Sequence, residues 1–391
     1  MPSLPEKMKA AIVAKYSKDS PAYELVDVPL PPSFHNLLPY QILIKVAVAS
    51  FCHTDLQILE GDGPAKPGVD PSPSQLAGSH EPTGVIVQLG SDAATKGGFK
   101  LGDRIAAAGG AGMCDTCEDC TMTYSAEGSP VTLKYNQHCA HQSGFVGVWT
   151  LPGAFQEYTL VDYRFAVRLP DNMTFADAAP LTCAGLTAFR ALQVARAQSQ
   201  PPLKEDDWIA VLGSGGGLGH LLVQFAKAVN LKVIGIDARS EGLELTRRAR
   251  ADVTIDALAG GNDGVVKAVQ AATGGRGVSA SIILTEHPTA SATACAITKT
   301  HGTAVIVALP ADGVRVPYGE FIFRDVRLFG SNIGSSEDMQ ALFDLVGDQK
   351  NEIFVEKKVF DGLESLPEVI GTYKRAKVAG KLVVRVDSTV A

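Results

Sequence analysis

Residues 209–237 read IAVLGSGGGLGHLLVQFAKAVNLKVIGID. An apolar run ends in a glycine-rich loop, a helical stretch follows from Leu218 to Ala228, and a second apolar run ends on an acid. A strict G-x-G-x-x-G fits in no register. Gly213, Gly216 and Gly219 are spaced three apart, with Gly215 and Gly217 between them. Glycine reaches positive φ and lets a diphosphate approach the backbone at a helix N-terminus, where Leu218 begins the helix. Asp237 ends the next strand, where a carboxylate accepts hydrogen bonds from a ribose 2′-hydroxyl. Loop and acid together point to a dinucleotide site. A Rossmann-like domain that holds no ligand is the bland alternative. Asp237 favours NAD over NADP, because a carboxylate repels a 2′-phosphate; Arg239, two residues on, works against that preference.

Outward from this stretch the strand–helix alternation continues. WIAVLG, KVIGID, VTID, SASIILT, GTAVIVAL and VRLFGS read as strands of a parallel sheet flanked by helices. The preceding ~180 residues are rich in Gly and Pro, with short apolar runs such as KAAIVAKY, YQILIKVAVAS and TGVIVQLG. Such runs read as strands joined by turns. MTFADAAPLTCAGLTAFRALQVA carries apolar and small residues at helical spacing, and the tail KVAGKLVVRVD reads as strand again. The expected fold is therefore α/β, with a Rossmann dinucleotide-binding domain at 183–322 inserted in a β-rich domain formed by 1–182 and completed by 323–391.

The chain has 391 residues, 46% hydrophobic and 20% charged, enough for two domains. A net charge of −7 argues against a nucleic-acid partner. No apolar run of about 18 residues predicts a membrane span. The N-terminus lacks an apolar core of signal-peptide length, which places the protein in the cytoplasm. Seven cysteines, an odd number without an export signal, argue against a disulfide framework. Four of them crowd between 114 and 139, which points to metal.

Two metal constellations follow. CHTDLQ begins at Cys52, GSHEPTGV supplies His80 and Glu81, and PLTCAGLTA supplies Cys183. Two thiolates and one imidazole suit a tetrahedral Zn²⁺ with one position open to water or substrate. Any one of these residues by itself reads more simply as structural, since buried free cysteines are common. In the second set, Cys114, Cys117 and Cys120 are spaced C-x2-C-x2-C. Cys139 follows after TMTYSAEGSPVTLKYNQH, a gap whose length costs only about 0.6 kcal/mol per doubling. His138 and His141 flank Cys139 as bystanders, and Cys295 reads as a buried structural thiol.

These stretches resemble those of the zinc-dependent alcohol dehydrogenases of the medium-chain dehydrogenase/reductase family, most of all the yeast and fungal branch. CHTDL, GSHE, LTCAGLTAFRAL, GGLGHLLVQFAKA, FGSNIGSSED and GKLVV stand in the family's order along essentially the whole chain. The resemblance implies a GroES-like β-rich catalytic domain with a cysteine lobe at 109–145. It implies two zinc ions per chain, one held by Cys52, His80 and Cys183 and a structural one held by Cys114, Cys117, Cys120 and Cys139. It implies that Glu81 can swing in to displace the zinc-bound water, that Asp55 orients a ligand, and that Thr54 bonds the substrate oxygen. His53 and Lys381 are implied as contacts of the cofactor diphosphate and Thr187 as a neighbour of the nicotinamide. A homotetramer, alternatively a dimer, acting on a small alcohol or carbonyl is implied as well.

The chain departs from the family at three places. Gln57 stands where many relatives carry a histidine that relays the proton, and an amide cannot titrate there. The gap before Cys139 is longer than usual. Where the yeast ethanol enzymes line the substrate site with tryptophans, Leu59, Gly63 and Gly109 stand here, with Leu309 as a remaining apolar wall. That pattern predicts a pocket for substrates bulkier than ethanol. The competing readings are a zinc-free enoyl or quinone reductase on the same fold and a non-catalytic cofactor-binding protein; the complete ligand set speaks against both.

Overall fold

The computed structural model describes residues 4–63, 76–310, 312–375 and 379–390. The Pro-rich stretch after Gly63 lies outside the described residues.

Two sheets organise the chain. The first has seven strands, built around the long strand Gln41–Phe51. Nearly every residue of that strand is buried, because both of its edges are paired and both faces are covered. Pro82–Leu89 and Lys381–Arg385 flank it antiparallel, and Tyr158–Asp162 also pairs with its first half. Lys357–Asp361 pairs parallel with Lys381–Arg385. The tail of the chain therefore completes the first sheet, as the strand-like KLVVR predicts.

The second sheet has six strands, all parallel, in the order Val253–Asp256, Lys232–Asp237, Trp208–Leu212, Val278–Ile283, Thr298–Ile306, Arg327–Gly330. Chain order reverses between Trp208–Leu212 and Val278–Ile283, which opens a crevice at their carboxyl ends. Strand Arg327–Gly330 forms the far edge of this sheet, so the sheet runs past the expected boundary at 322. The run VRLFGS thus takes its place in the parallel sheet, as its reading predicts, and it is the boundary that falls short of it.

The glycine loop works by close approach. Gly213 has φ +87°, and a Cβ on Gly219 would lie 2.2 Å from the Gly213 carbonyl oxygen. Only glycine lets the helix Gly219–Ala228 start so near the strand that feeds it. Its residues Leu221, Leu222, Val223, Phe225 and Ala226 are buried. They belong to a continuous apolar cluster that runs from Val48 and Val167 of the first sheet, through Leu186, Phe189 and Leu192 of helix Ala184–Gln198, to Val211 and Ile282 of the second. That helix joins the two sheets through one shared core.

The long gap before Cys139 folds as a hairpin. Thr123–Tyr124 pairs antiparallel with Leu133–Lys134, and the Ser129 hydroxyl donates to the Arg196 carbonyl near the end of helix Ala184–Gln198. The added length is thus packed against a helix.

Candidate active site

Cys52 directly follows the central strand and caps the helix His53–Glu60. Asp55, three residues on and fully buried, ties two segments together. Its Oδ2 accepts from the Cys52 amide at 2.8 Å, and its Oδ1 accepts from the Ser79 amide at 2.9 Å. The same carboxylate lies 3.7 Å from His80 Nδ1, within ion-pair range but beyond a hydrogen bond. His80 Nε2 lies 3.2 Å from Cys183 Sγ. One ligand atom each from Cys52, His80, Glu81 and Cys183 falls within 4.8 Å of all the others. The structure therefore brings together three segments that span more than a hundred residues of sequence.

The charges fit a cation site. A hydrogen bond from Cys183 pushes the Cys52 thiol well down against the opposing effect of burial, helped by Lys381 and His80. The same contact, with burial, pushes the Cys183 thiol up. Glu81 Oε1 accepts from Lys381 Nζ at 2.8 Å, and both residues are buried. Burial alone would lower the Lys381 ammonium; Glu81 and the thiols outweigh it and hold it above its ordinary value. Glu81 Oε2 is buried and has no hydrogen-bond partner. Two sulfurs, an imidazole nitrogen and a spare buried carboxylate oxygen are a donor set that suits zinc.

The second cysteine set is equally compact. Cys114 and Cys120 Sγ are 4.0 Å apart, Cys117 and Cys139 3.8 Å, and Cys139 and Cys114 3.6 Å. Bonds of about 2.3 Å in a tetrahedron place sulfurs about 3.8 Å apart, so the four thiols fit a closed zinc site. All seven cysteines are free thiols.

Beside the first set opens a cleft of about 1120 Å³ at the crevice between the sheets. Cys52, His53, Gly213, Asp237 and Lys381 line it, and so do Gly216, Gly217, Leu218 and Gly219. Thr187 sits one turn into its helix, its amide donating to the Cys183 carbonyl at 2.8 Å. His53 Nε2 faces Glu286 across the cleft at 3.5 Å. Asp237 is more engaged than the sequence suggests. Its Oδ2 accepts from the Gly215 amide at 2.9 Å, and its Oδ1 accepts from the amides of Ala238 and Arg239. The acid at the strand end also anchors the glycine loop.

The expected pocket residues fare differently. Leu59 is fully buried in the core under the first sheet, with Ile42, Phe51 and Phe155, and does not line the cleft. A Cβ on Gly63 would lie 2.8 Å from Ile58 Cγ1, so that position is filled by its own helix. A Cβ on Gly109 would lie 2.2 Å from Phe145 Cε1. Leu309 is exposed, next to Ala308 of the cleft lining. A count of small residues where tryptophans might stand cannot show which neighbours move in. The residues missed are Phe145, Trp149 and Glu286; the pairing of glycines with aromatics in GFVGVW is the one signal that flags the first two.

Comparison with known proteins follows the same lines. The family described as "Zinc-binding dehydrogenase" matches residues 217–348, and "Alcohol dehydrogenase GroES-like domain" matches 38–171. An alcohol dehydrogenase of Geobacillus stearothermophilus is 30% identical over 378 residues, covering 97% of this chain and 99% of that protein. One from Schizosaccharomyces pombe is 30% identical, covering 88% and 89%. The crystal structure of the alcohol dehydrogenase from Aeropyrum pernix superposes with a TM-score of 0.79 at 25% identity, covering 96% and 99%. With a relative matched over its whole length and both family domains in place around the metal donors and the cleft, the chain belongs to the zinc-binding alcohol dehydrogenases.

Proposed function

We propose that this enzyme interconverts a primary or secondary alcohol and its aldehyde or ketone, with NAD favoured over NADP. The observation that carries the reading is the cluster of Cys52, His80 and Cys183 at the edge of the cleft. In this reading those three residues hold the catalytic zinc, and Cys114, Cys117, Cys120 and Cys139 hold a structural one. When bound, the zinc supplies Lewis acidity toward the substrate oxygen and the nicotinamide supplies hydride exchange.

The chain's own residues do the rest. Asp55 fixes the backbone that carries Cys52 and His80, so the donors keep one geometry. Thr54, half-buried beside Cys52, takes the hydroxyl proton of the substrate. Gln57 cannot pass that proton on by titrating, so it leaves through water or the cofactor ribose. Glu81 keeps one oxygen on Lys381 and one free toward the donor cluster. His53 and Lys381 present cationic or hydrogen-bond-donating groups to the diphosphate at the mouth of the glycine loop.

The reading extends to boundaries, branch and assembly. The β-rich domain ends near 182, the motifs CHTDL and GSHE favour the yeast and fungal branch, and the enzyme works in the cytoplasm as a homo-oligomer, a tetramer or else a dimer. Among the described residues no helix is long and apolar enough to cross a membrane.

Rates on a panel of alcohols and carbonyls with each cofactor, together with zinc content, test this. Two zinc ions per chain and turnover with NAD are expected; a metal-free protein reducing activated alkenes would overturn it. Asp237→Ser tests the cofactor preference. Losing hydrogen bonds to a charged group weakens NAD binding by about ten- to a hundredfold, while NADP loses less because the repulsion is also removed. A wild type that already binds NADP more tightly would defeat the preference for NAD.

A further inference from the structure

We propose that Phe145 sets the size of the substrate pocket, its ring occupying the volume that Gly109 leaves open beside His80. The inference rests on reading Cys52, His80 and Cys183 as the reacting centre. It begins with GFVGVW, residues 144–149. The Phe145 amide donates to the Trp149 carbonyl at 3.1 Å, and the Trp149 amide donates to the Phe145 carbonyl at 2.9 Å, which closes a tight turn. The next amide, Val146, donates to the Gly109 carbonyl at 2.7 Å. Gly147 has φ +70°, and a Cβ there would lie 2.3 Å from the Ser79 carbonyl oxygen. Glycine at 147 thus lets the turn lie directly on the backbone that carries His80.

The turn aims two rings. Phe145 meets the His80 imidazole edge-on, with centroids 6.0 Å apart, and Trp149 meets Phe145 edge-on at 5.6 Å. Such T-shaped pairs are favourable and hold a ring in one orientation. Phe145 is only half-buried, so part of its ring is exposed. A Cβ at 109 would lie 2.2 Å from Phe145 Cε1 and 2.6 Å from its Cδ1. Position 109 and the Phe145 ring therefore share one volume, and a side chain at 109 excludes the ring. The wall beside His80 is flat, apolar and contributed by a residue far from Gly109 in sequence. A ring held there narrows the space beside His80, so it discriminates against fused-ring substrates relative to one-ring ones.

The test compares kcat/KM for a one-ring ketone, acetophenone, and a fused-ring ketone, 2-acetylnaphthalene, in wild type, Phe145→Ala and Phe145→Leu. The ratio of fused-ring to one-ring substrate should rise by about tenfold or more in Phe145→Ala and by less in Phe145→Leu, since each methylene accommodated is worth about fourfold. Shared volume is read separately from melting temperatures. Gly109→Ala should destabilise the wild type and be tolerated in the Phe145→Ala background, a coupling that two independent positions would not show. Turnover by the wild type with an unchanged ratio in both variants, or additive melting shifts, overturns the inference alone. No turnover by the zinc-loaded wild type on any alcohol or carbonyl overturns the reading beneath it, and the pocket role with it.

Discussion

Asp55 shows how much a single residue carries in this protein. In sequence it reads as one acid in a helix start; in the fold it is a fully buried clamp on the Cys52 and Ser79 amides, close to His80. Groups that orient metal ligands typically matter by 10- to 100-fold in metal affinity or activity. Asp55→Asn should therefore lower zinc retention at the first site and kcat/KM by about that factor while leaving the four-cysteine zinc in place. Dialysis against a chelator followed by metal analysis checks it, and equal loss from both sites would count against the assignment. His220 makes a second residue-scale case. Its Nδ1–H donates to the Gly216 carbonyl at 2.9 Å, and its Nε2 accepts from the Glu356 amide at 3.1 Å, so the fold requires the neutral ring. Burial pushes its pKa from 6.5 down to about 4. The unfolded chain takes up this proton first, so stability is whole above pH 6.5 and falls as the pH drops from there toward 4. The loss from this group is on the order of 3 kcal/mol when complete. Melting temperature against pH should show a smaller decline in this window for His220→Gln than for wild type; identical slopes would remove His220 from the account.

At the scale of elements, the cysteine lobe is docked on the helix that begins after Cys183. Arg190, two turns along that helix and 2% exposed, donates to Asp338 Oδ2 at 2.8 Å and lies under the Tyr135 ring at 5.0 Å. Asn136, three residues before Cys139, donates to the Ser336 hydroxyl at 2.7 Å. Lobe, helix Ala184–Gln198 and helix Ser336–Gly347 thus meet at one buried ion pair. Removing one partner of such a pair leaves an uncompensated charge and costs about 3–5 kcal/mol. Asp338 also accepts from the Ser335 amide and hydroxyl, so Arg190→Leu should cost near the lower end, about 3 kcal/mol. Both zinc ions should remain bound. The urea midpoint reads the loss, and an unchanged midpoint would mean that the pair contributes nothing.

At the scale of the whole molecule, one surface is conspicuously apolar. Tyr318, Ile322 and Phe323, the last 77% exposed, follow exposed Leu309 and Val314 beside the edge strand Arg327–Gly330. An open strand edge beside exposed aromatic and branched side chains is a surface that soluble proteins cover. This supports the proposed homo-oligomer. Ile322→Asp with Phe323→Asp should convert the oligomer to smaller species in sedimentation equilibrium. A wild type that is monomeric at every concentration would end that reading.

What the sequence determined by itself was the local chemistry and the order of the parts. The spacing of Gly213, Gly216 and Gly219 followed by Asp237, the C-x2-C-x2-C run, and the thiol and imidazole in CHTDL and GSHE are short-range patterns, each bound to its chemistry by backbone geometry and donor type. These sufficed for the parallel sheet, the tail that returns to the first sheet, and both cysteine clusters. Tertiary structure alone decided what fills space. Leu59 is a core residue because strand Gln41–Phe51 and its neighbours close over it, and Gly109 is small because Phe145 arrives from 36 positions away. The boundary at 322 likewise falls short of strand Arg327–Gly330, which joins the second sheet. The physical reason is common to Leu59 and Gly109: packing excludes volume between segments distant in the chain, and no local pattern records which side chain takes the space another leaves.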